Sequence, residues 1–221
     1  MRATLLAVAL CLLFYLFPSI DLKVSSYFYH NGFYLHDWWF AKFIYKATQI
    51  VLILFVLTLI LLFFYSFITK KEIVSKKVIA YLLLVLALGP GLIVSVVFKE
   101  HFGRARPSQI VQFGGTKKFT PALQITNQCQ HNCSFSSGHA AAAFYFLALV
   151  PLLRGKKRYI VALLALLWGG IVGYVRIIQG GHFLSDVVCS SVVVYLVAII
   201  LYRLMFERNR NEIIGSHTSN E

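Results

Sequence analysis

An all-α membrane bundle of six transmembrane helices is the fold class that this sequence predicts, on three observations. The chain is 59% hydrophobic and 13% charged over 221 residues, with a mean hydropathy of +0.74. A soluble domain of this length does not need so much apolar surface. The apolar residues fall in runs of about 20, enough for a helix to cross a hydrocarbon core. The basic residues sit between those runs and not along one polar face, so the +13 net charge does not indicate nucleic acid as a partner.

The first run, about Ala3 to Ile20, is short and follows a single basic residue, as in a signal peptide. No small-x-small cleavage site follows it, and bulky Leu10 before Cys11 rules out a lipid-attached cysteine, so an uncleaved span is expected. Residues 21–46 are rich in Tyr, Phe and Trp. That composition suits an interfacial belt or a lipid-handling lip at headgroup level. Spans are then expected at about 47–68 and 78–98, the latter kinked for structural reasons at Gly89-Pro90-Gly91. A long polar loop, 99–136, separates them from spans at about 137–153, 159–178 and 184–206, so that one membrane domain occupies the whole chain. With both termini in the cytoplasm, the inner side collects Arg2, Lys70, Lys71, Lys76, Lys77, Arg154, Lys156, Lys157, Arg158, Arg203, Arg208 and Arg210. This satisfies the positive-inside rule.

Cys11 and Cys189 fall within spans and read as small apolar packing residues. Cys129 and Cys133 lie in the outer loop, four apart, a spacing that a tight loop can bridge. In an oxidising compartment a disulfide is expected there. As a metal site the pair has only His131 nearby, which leaves it short of ligands.

Three patches carry chemistry, and the six-span topology puts all of them on one side. The first is KEHFGRARP, residues 99–107, at the outer end of the third span. It supplies Lys99, Arg104 and Arg106, cations suited to phosphate oxygens. Positive charge on the outer side runs against the topology rule, which favours a site over headgroup attraction. The second is CSFSSGHA, residues 133–140, opening the fourth span. Free amides at a helix start bind anions, and Gly138 lets a phosphate come close to Ser137 and to His139 in the first turn. The third is RIIQGGHFLSD, residues 176–186. It places His182 and Asp186 four apart on one helix face, where a carboxylate can set the imidazole tautomer. Ionisable groups at membrane depth are functional candidates by default. The outer side offers only Asp21, Asp37, Glu100 and Asp186 as carboxylates, too few for a two-metal hydrolase, so a site without metal or other cofactor is expected.

Lys99-x6-Arg106-Pro107, Ser137-Gly138-His139 and Arg176-x5-His182-x3-Asp186 together resemble the three signature motifs of the type 2 phosphatidic acid phosphatase superfamily, over spans three to six. The resemblance implies a helical core shared with vanadium haloperoxidases and a phosphorylated lipid substrate. It implies His182 as nucleophile through a phosphohistidine, Asp186 as its orienting partner and His139 as the acid that protonates the leaving alkoxide. Lys99, Arg106, Arg176, Ser137 and Gly138 would hold the phosphate, with Arg104 a further candidate. Ser136 and Val175 depart from the proline and serine usual at those positions, and neither removes a group that does chemistry. The stretch NCSFSSGH is similar to that of bacterial lipid A 4′-phosphatases. That implies an inner-membrane enzyme whose site faces the periplasm. Undecaprenyl pyrophosphate, phosphatidylglycerophosphate and phosphatidic acid stay open as substrates, as does phosphoryl transfer between lipids. A transporter or lipid-binding protein is the alternative from another class.

Overall fold

The protein was described from a computed structural model covering residues 2–207, so Arg208 and Arg210, assigned above to the inner side, lie outside the described residues. Within them the regular structure is helical, apart from two isolated bridges, Tyr29 with Phe33 and Ile110 with Lys117. We number the helices α1 (Arg2–Leu16), α2 (Ser19–Ser26), α3 (Trp39–Thr69), α4 (Lys76–His101), α5 (Gly138–Leu152), α6 (Gly155–Ile178) and α7 (Leu184–Glu207).

Four of them, α3, α4, α6 and α7, are long and apolar enough to cross a membrane. Two of the six expected spans take another form. The first is broken, with an 81° bend between α1 and α2, because Pro18 cannot continue the hydrogen-bond ladder and disfavours helical backbone at Phe17. The pair counts as a fifth crossing if it is taken as one span. The span expected at 137–153 is the short apolar helix α5. Its first half, Gly138–Phe144, is α-helical, and Tyr145–Leu152 continues as tighter 3₁₀ turns. Because 3₁₀ geometry rises faster per residue, α5 is about 26 Å long, against a hydrocarbon core of about 30 Å.

At Gly89-Pro90-Gly91, where a kink is expected, α4 widens into π-helical turns over Ala87–Phe98. Wider turns absorb the missing Pro90 N–H without a break, and the Ser95 hydroxyl donates to the Pro90 carbonyl at 2.7 Å. The other end of α4 is capped by Ser75, whose Oγ accepts from Val78 N–H.

Helices α5, α6 and α7 form the centre. A Cβ on Gly169 would lie 2.1 Å from the Phe144 ring, and one on Gly173 would lie 2.3 Å from Val187. This small-x3-small face of α6 therefore brings three helices into close contact. Toward the other end, buried Tyr81 donates to the carbonyls of Ala148 and Ala198, and Tyr145 donates to that of Leu82. Those bonds tie α4, α5 and α7 together. By contrast α3 leaves most of its apolar side chains exposed, as a surface facing lipid would. The C-terminal end of α4, the N-terminal end of α5 and the α6–α7 turn converge at one end of the bundle, where the long loop 102–137 closes over them.

Candidate active site

Asp186, in the first turn of α7, is the residue around which this end is built. It is fully buried. Its Oδ2 accepts from the Phe183 N–H at 2.8 Å and from the Ser134 hydroxyl, and its Oδ1 accepts from Arg104 Nη1 at 2.6 Å. A carboxylate so deep is stable only with such partners.

His182 is 1% exposed. Its Nδ1 lies 2.7 Å from the Ser134 carbonyl and 3.6 Å from Asp186 Oδ2. A carbonyl can only accept, so Nδ1 carries the proton and Nε2 keeps a lone pair. The expected His182–Asp186 pair is therefore indirect. Ser134 stands between them, taking the imidazole proton on its carbonyl and giving its hydroxyl to the carboxylate. Burial drives the imidazole pKa down to about 4, against the opposing pull of the Asp186 carboxylate. At neutral pH the ring is uncharged, with a nitrogen able to attack.

Contacts link the three sequence patches. Lys99 Nζ donates to Asn132 Oδ1 at 2.7 Å, and Arg106 Nη2 donates to the Asn132 carbonyl at 2.8 Å. Gly138 lies against the Lys99 side chain: a Cβ there would sit 3.6 Å from Lys99 Cε. Ser137 caps α5, its Oγ accepting from Ala140 N–H, while its own N–H donates to the Asp186 carbonyl at 3.2 Å. His139 stacks on Tyr45 of α3 with centroids 3.9 Å apart, and the Arg176 guanidinium stands 5.1 Å from the same ring. His139 Nε2 is 3.4 Å from the Gln49 amide. Arg176 donates to Gln179 Oε1 and keeps a buried Nε with no partner among the described residues, a cationic donor beside the histidines. Gly181 makes room for it, since a Cβ there would meet Arg176 Nη2 at 2.3 Å.

Arg104 is the correction. It was a candidate for phosphate, yet it is 1% exposed and wholly engaged inside the protein. Nε donates to the Thr120 carbonyl, Nη1 to Ser185 Oγ and Asp186 Oδ1, and Nη2 to Asp21 Oδ2. Burial alone would favour losing the charge, but Asp186 and Asp21 outweigh it and hold the guanidinium pKa above its ordinary value. Its neighbour Arg106 faces Asn132 and the other cations.

Sequence reasoning missed Ser134, Asn132, Tyr45, Gln49, Gln179 and Asp21. Only Asp21 carried a readable signal, as a carboxylate at the end of an apolar run. It is fully buried and accepts from the Ser185 N–H at 2.9 Å and the Ser185 hydroxyl as well as from Arg104. Val175, which departs from the serine that the motif resemblance implies at that position, is fully buried in an apolar cluster with Ala41, Ile44 and Ala143.

Cys129 and Cys133 are joined, with Cα atoms 5.6 Å apart. The ring they close contains Asn132, held at a φ of +50°. Opening it should loosen Asn132 and with it the placement of Lys99 and Arg106. The Cys129→Ala/Cys133→Ala protein is expected to show a KM raised by about tenfold or less with kcat largely kept, the pattern of a lost ground-state contact. Unchanged KM in steady-state kinetics would show that the ring does not position the cations.

A cavity of about 480 Å³ reaches this constellation, lined by Lys99, Gly138, His139 and Gln49 together with apolar Leu52, Leu86 and Ala142 and the widened turn at Pro90. Among the described residues no three His, Cys, Asp or Glu side chains are grouped to hold a metal ion.

Comparison with known proteins gives the family. The PAP2 superfamily model matches residues 79–210. A lipid A 4′-phosphatase of Francisella tularensis subsp. novicida (strain U112) is 39% identical over 208 residues, covering 88% of this chain and 90% of that protein. A lipid A 4′-phosphatase of Rhizobium leguminosarum is 38% identical over 131 residues, 58% of this chain and 56% of its own. One from Rhizobium etli is 35% identical over 131 residues, 58% of this chain and 51% of its own. No solved structure matches the chain. The matched region contains every motif residue drawn together above, from Lys99 to Asp186, and on that ground the chain belongs to the PAP2 superfamily.

Proposed function

We propose that this membrane lipid phosphatase removes the 4′-phosphate of a lipid A-type glycolipid at the periplasmic face of a bacterial inner membrane, through a phosphohistidine on His182. The observation that carries the mechanism is the His182 tautomer: Nδ1 is committed to the Ser134 carbonyl, so Nε2 is the nucleophile. Relatedness to three lipid A 4′-phosphatases supports the substrate, and a cavity with cations and apolar side chains in one lining suits a phosphorylated lipid.

Nε2 attacks phosphorus while Lys99, Arg106, Arg176 and the α5 N-terminal amides neutralise the phosphoryl oxygens. The P–O bond to the sugar breaks, and His139 gives its proton to the departing alkoxide. The positive charge gained by the His182 ring is offset by Asp186 at 3.6 Å. Water, deprotonated by His139, then attacks the phosphohistidine, and inorganic phosphate leaves with His182 restored. The Gln49 contact bears on the acid: an amide presenting its nitrogen to His139 Nε2 meets a lone pair there, and one presenting its oxygen meets an Nε2 that carries the proton to be given.

For the topology we propose six crossings with both termini cytoplasmic, counting α1–α2 and α5 as spans. The support is charge placement. Lys70, Lys71, Lys76, Lys77 and residues 154–158 cluster at the helix ends opposite the site, as the positive-inside rule requires.

Released phosphate from a panel of lipid phosphates tests the reading. Turnover is expected to persist in excess EDTA and to be inhibited by vanadate, because protein cations supply the electrophilic stabilisation. Loss of activity in EDTA with recovery on adding magnesium or zinc contradicts it.

A further inference from the structure

Next to the phosphate-holding loops lies a second cavity, of about 360 Å³, with a different chemistry. No lysine, arginine, aspartate or glutamate lines it. Its walls are aromatic. Tyr29, Phe33 and Phe113 pack as a triad, with centroids 5.3 to 5.6 Å apart. Tyr29 and Phe33 are the bridged pair of a tight hairpin, turned at Asn31 and Gly32, whose φ angles are +54° and +143°. The aromatic segment before α3, an interfacial belt or lip in the sequence, is thus a shaped wall.

The polar groups of this cavity are hydroxyls and amides, with the His36 imidazole as its one titratable nitrogen base among the lining residues. Tyr29, Asn31 and Ser108 present two hydroxyls and an amide that make no side-chain hydrogen bond among the described residues. Gly114 keeps the Tyr29 hydroxyl accessible, since a Cβ there would meet it at 2.7 Å. Aromatic faces with uncommitted hydroxyls and amides suit a ligand with C–H faces and many hydroxyls of its own. An anion would find no lysine or arginine here.

The cavity also shares its walls with the phosphate site. Ser108 follows Arg106 by two residues, and its N–H donates to the Gly180 carbonyl at 3.1 Å. Gln179, buried at the back, accepts from Arg176 Nη1 on Oε1, and its carbonyl is 3.1 Å from His36 Nδ1. Phe33 lies flat against Gly180, where a Cβ would strike its ring at 2.4 Å. Each arginine loop therefore turns one face to the phosphate and lends a neighbouring residue to this cavity.

We propose that this aromatic cavity, lined by hydroxyls and amides and by no lysine, arginine, aspartate or glutamate, is a saccharide subsite that receives a sugar ring of the glycolipid whose phosphate is bound by Arg106 and Arg176. The proposal rests on the lipid phosphatase reading and adds the feature that would select a sugar phosphate over a glycerol phosphate.

The test uses the full chain in detergent and a Tyr29→Phe/Asn31→Gly/Ser108→Ala protein. These changes remove the hydroxyls and the amide, and glycine tolerates the positive φ at residue 31. Released phosphate is measured on a phosphorylated glucosamine-disaccharide lipid and on two sugar-free esters, phosphatidic acid and p-nitrophenyl phosphate. Binding of the phosphate-free disaccharide lipid is titrated in parallel. The expected result is a loss of about 10- to 100-fold in kcat/KM on the disaccharide lipid, as for two or three lost neutral hydrogen bonds. Affinity for the phosphate-free lipid should weaken likewise, and rates on the sugar-free esters should stay within about twofold. Equal losses on all substrates, or none on the disaccharide lipid, would overturn the subsite. A wild-type protein inert on every ester fails the phosphatase reading itself, which separates the two failures.

Discussion

His182→Ala is expected to abolish turnover of every phosphate ester, a fall of about 10⁵-fold or more in kcat, because without Nε2 no covalent intermediate forms. His139→Ala should behave differently. A sugar alkoxide leaves poorly without a proton, and general acid catalysis is typically worth about 10²–10⁴-fold, so hydrolysis of a lipid monoester should fall by roughly that factor. p-Nitrophenolate hardly needs the proton, so the same variant should lose far less on p-nitrophenyl phosphate. The pH profile bears on His182 as well. Its imidazole is held down to about 4 by burial, so protonation disables the nucleophile only as pH falls toward that value. After correction for the ester's own ionisation, an acid limb near the ordinary histidine value of 6.5 would contradict this. Lasting activity in His182→Ala, or equal losses on both esters in His139→Ala, would overturn the assignment of roles.

The residues proposed to do chemistry stand out in the sequence because phosphate chemistry needs specific side chains at helix ends, and helix ends follow from apolar runs. Lys99, Arg106, Ser137, His139, Arg176, His182 and Asp186 sit where those runs stop. What surrounds them was not legible. Ser134 holds His182 through a backbone carbonyl, and Asn132 receives Arg106 the same way; any residue type supplies such a group, so no letter marks it. Tyr45 and Gln49 reach His139 from α3, about ninety positions away in sequence, and look like ordinary members of an apolar helix. The six expected spans were read from run length. That measure cannot see a bend at Pro18 or 3₁₀ turns that let α5 cover more distance with fewer residues. Arg104 and Arg106 show the limit most plainly. Both belong to one basic patch, two residues apart, and only packing decides that one faces the site and the other the interior.

That division predicts opposite phenotypes. Arg106→Ala is expected to weaken phosphate binding while leaving a folded protein. Arg104→Ala should instead leave Asp21 and Asp186, both fully buried, without the guanidinium that joins them. Removing one member of a buried charge cluster typically costs about 3–5 kcal/mol. For a chain of this length that lowers the thermal midpoint in detergent by about 10 °C or more. Activity should fall with it, since Asp186 Oδ1 takes its only side-chain cation from Arg104 among the described residues. Asp21→Asn should be milder, because the amide oxygen can still accept from the Ser185 N–H and Arg104 keeps Asp186. This gives α2, outside the matched region at 79–210, a part in holding the site from the far side. The deciding comparison is melting against kinetics. An Arg104→Ala protein that melts like the wild type but shows a raised KM would return Arg104 to the phosphate ligands. One that melts early, with Arg106→Ala melting normally, makes the Asp21–Arg104–Asp186 cluster the keystone on which the orientation of His182 rests.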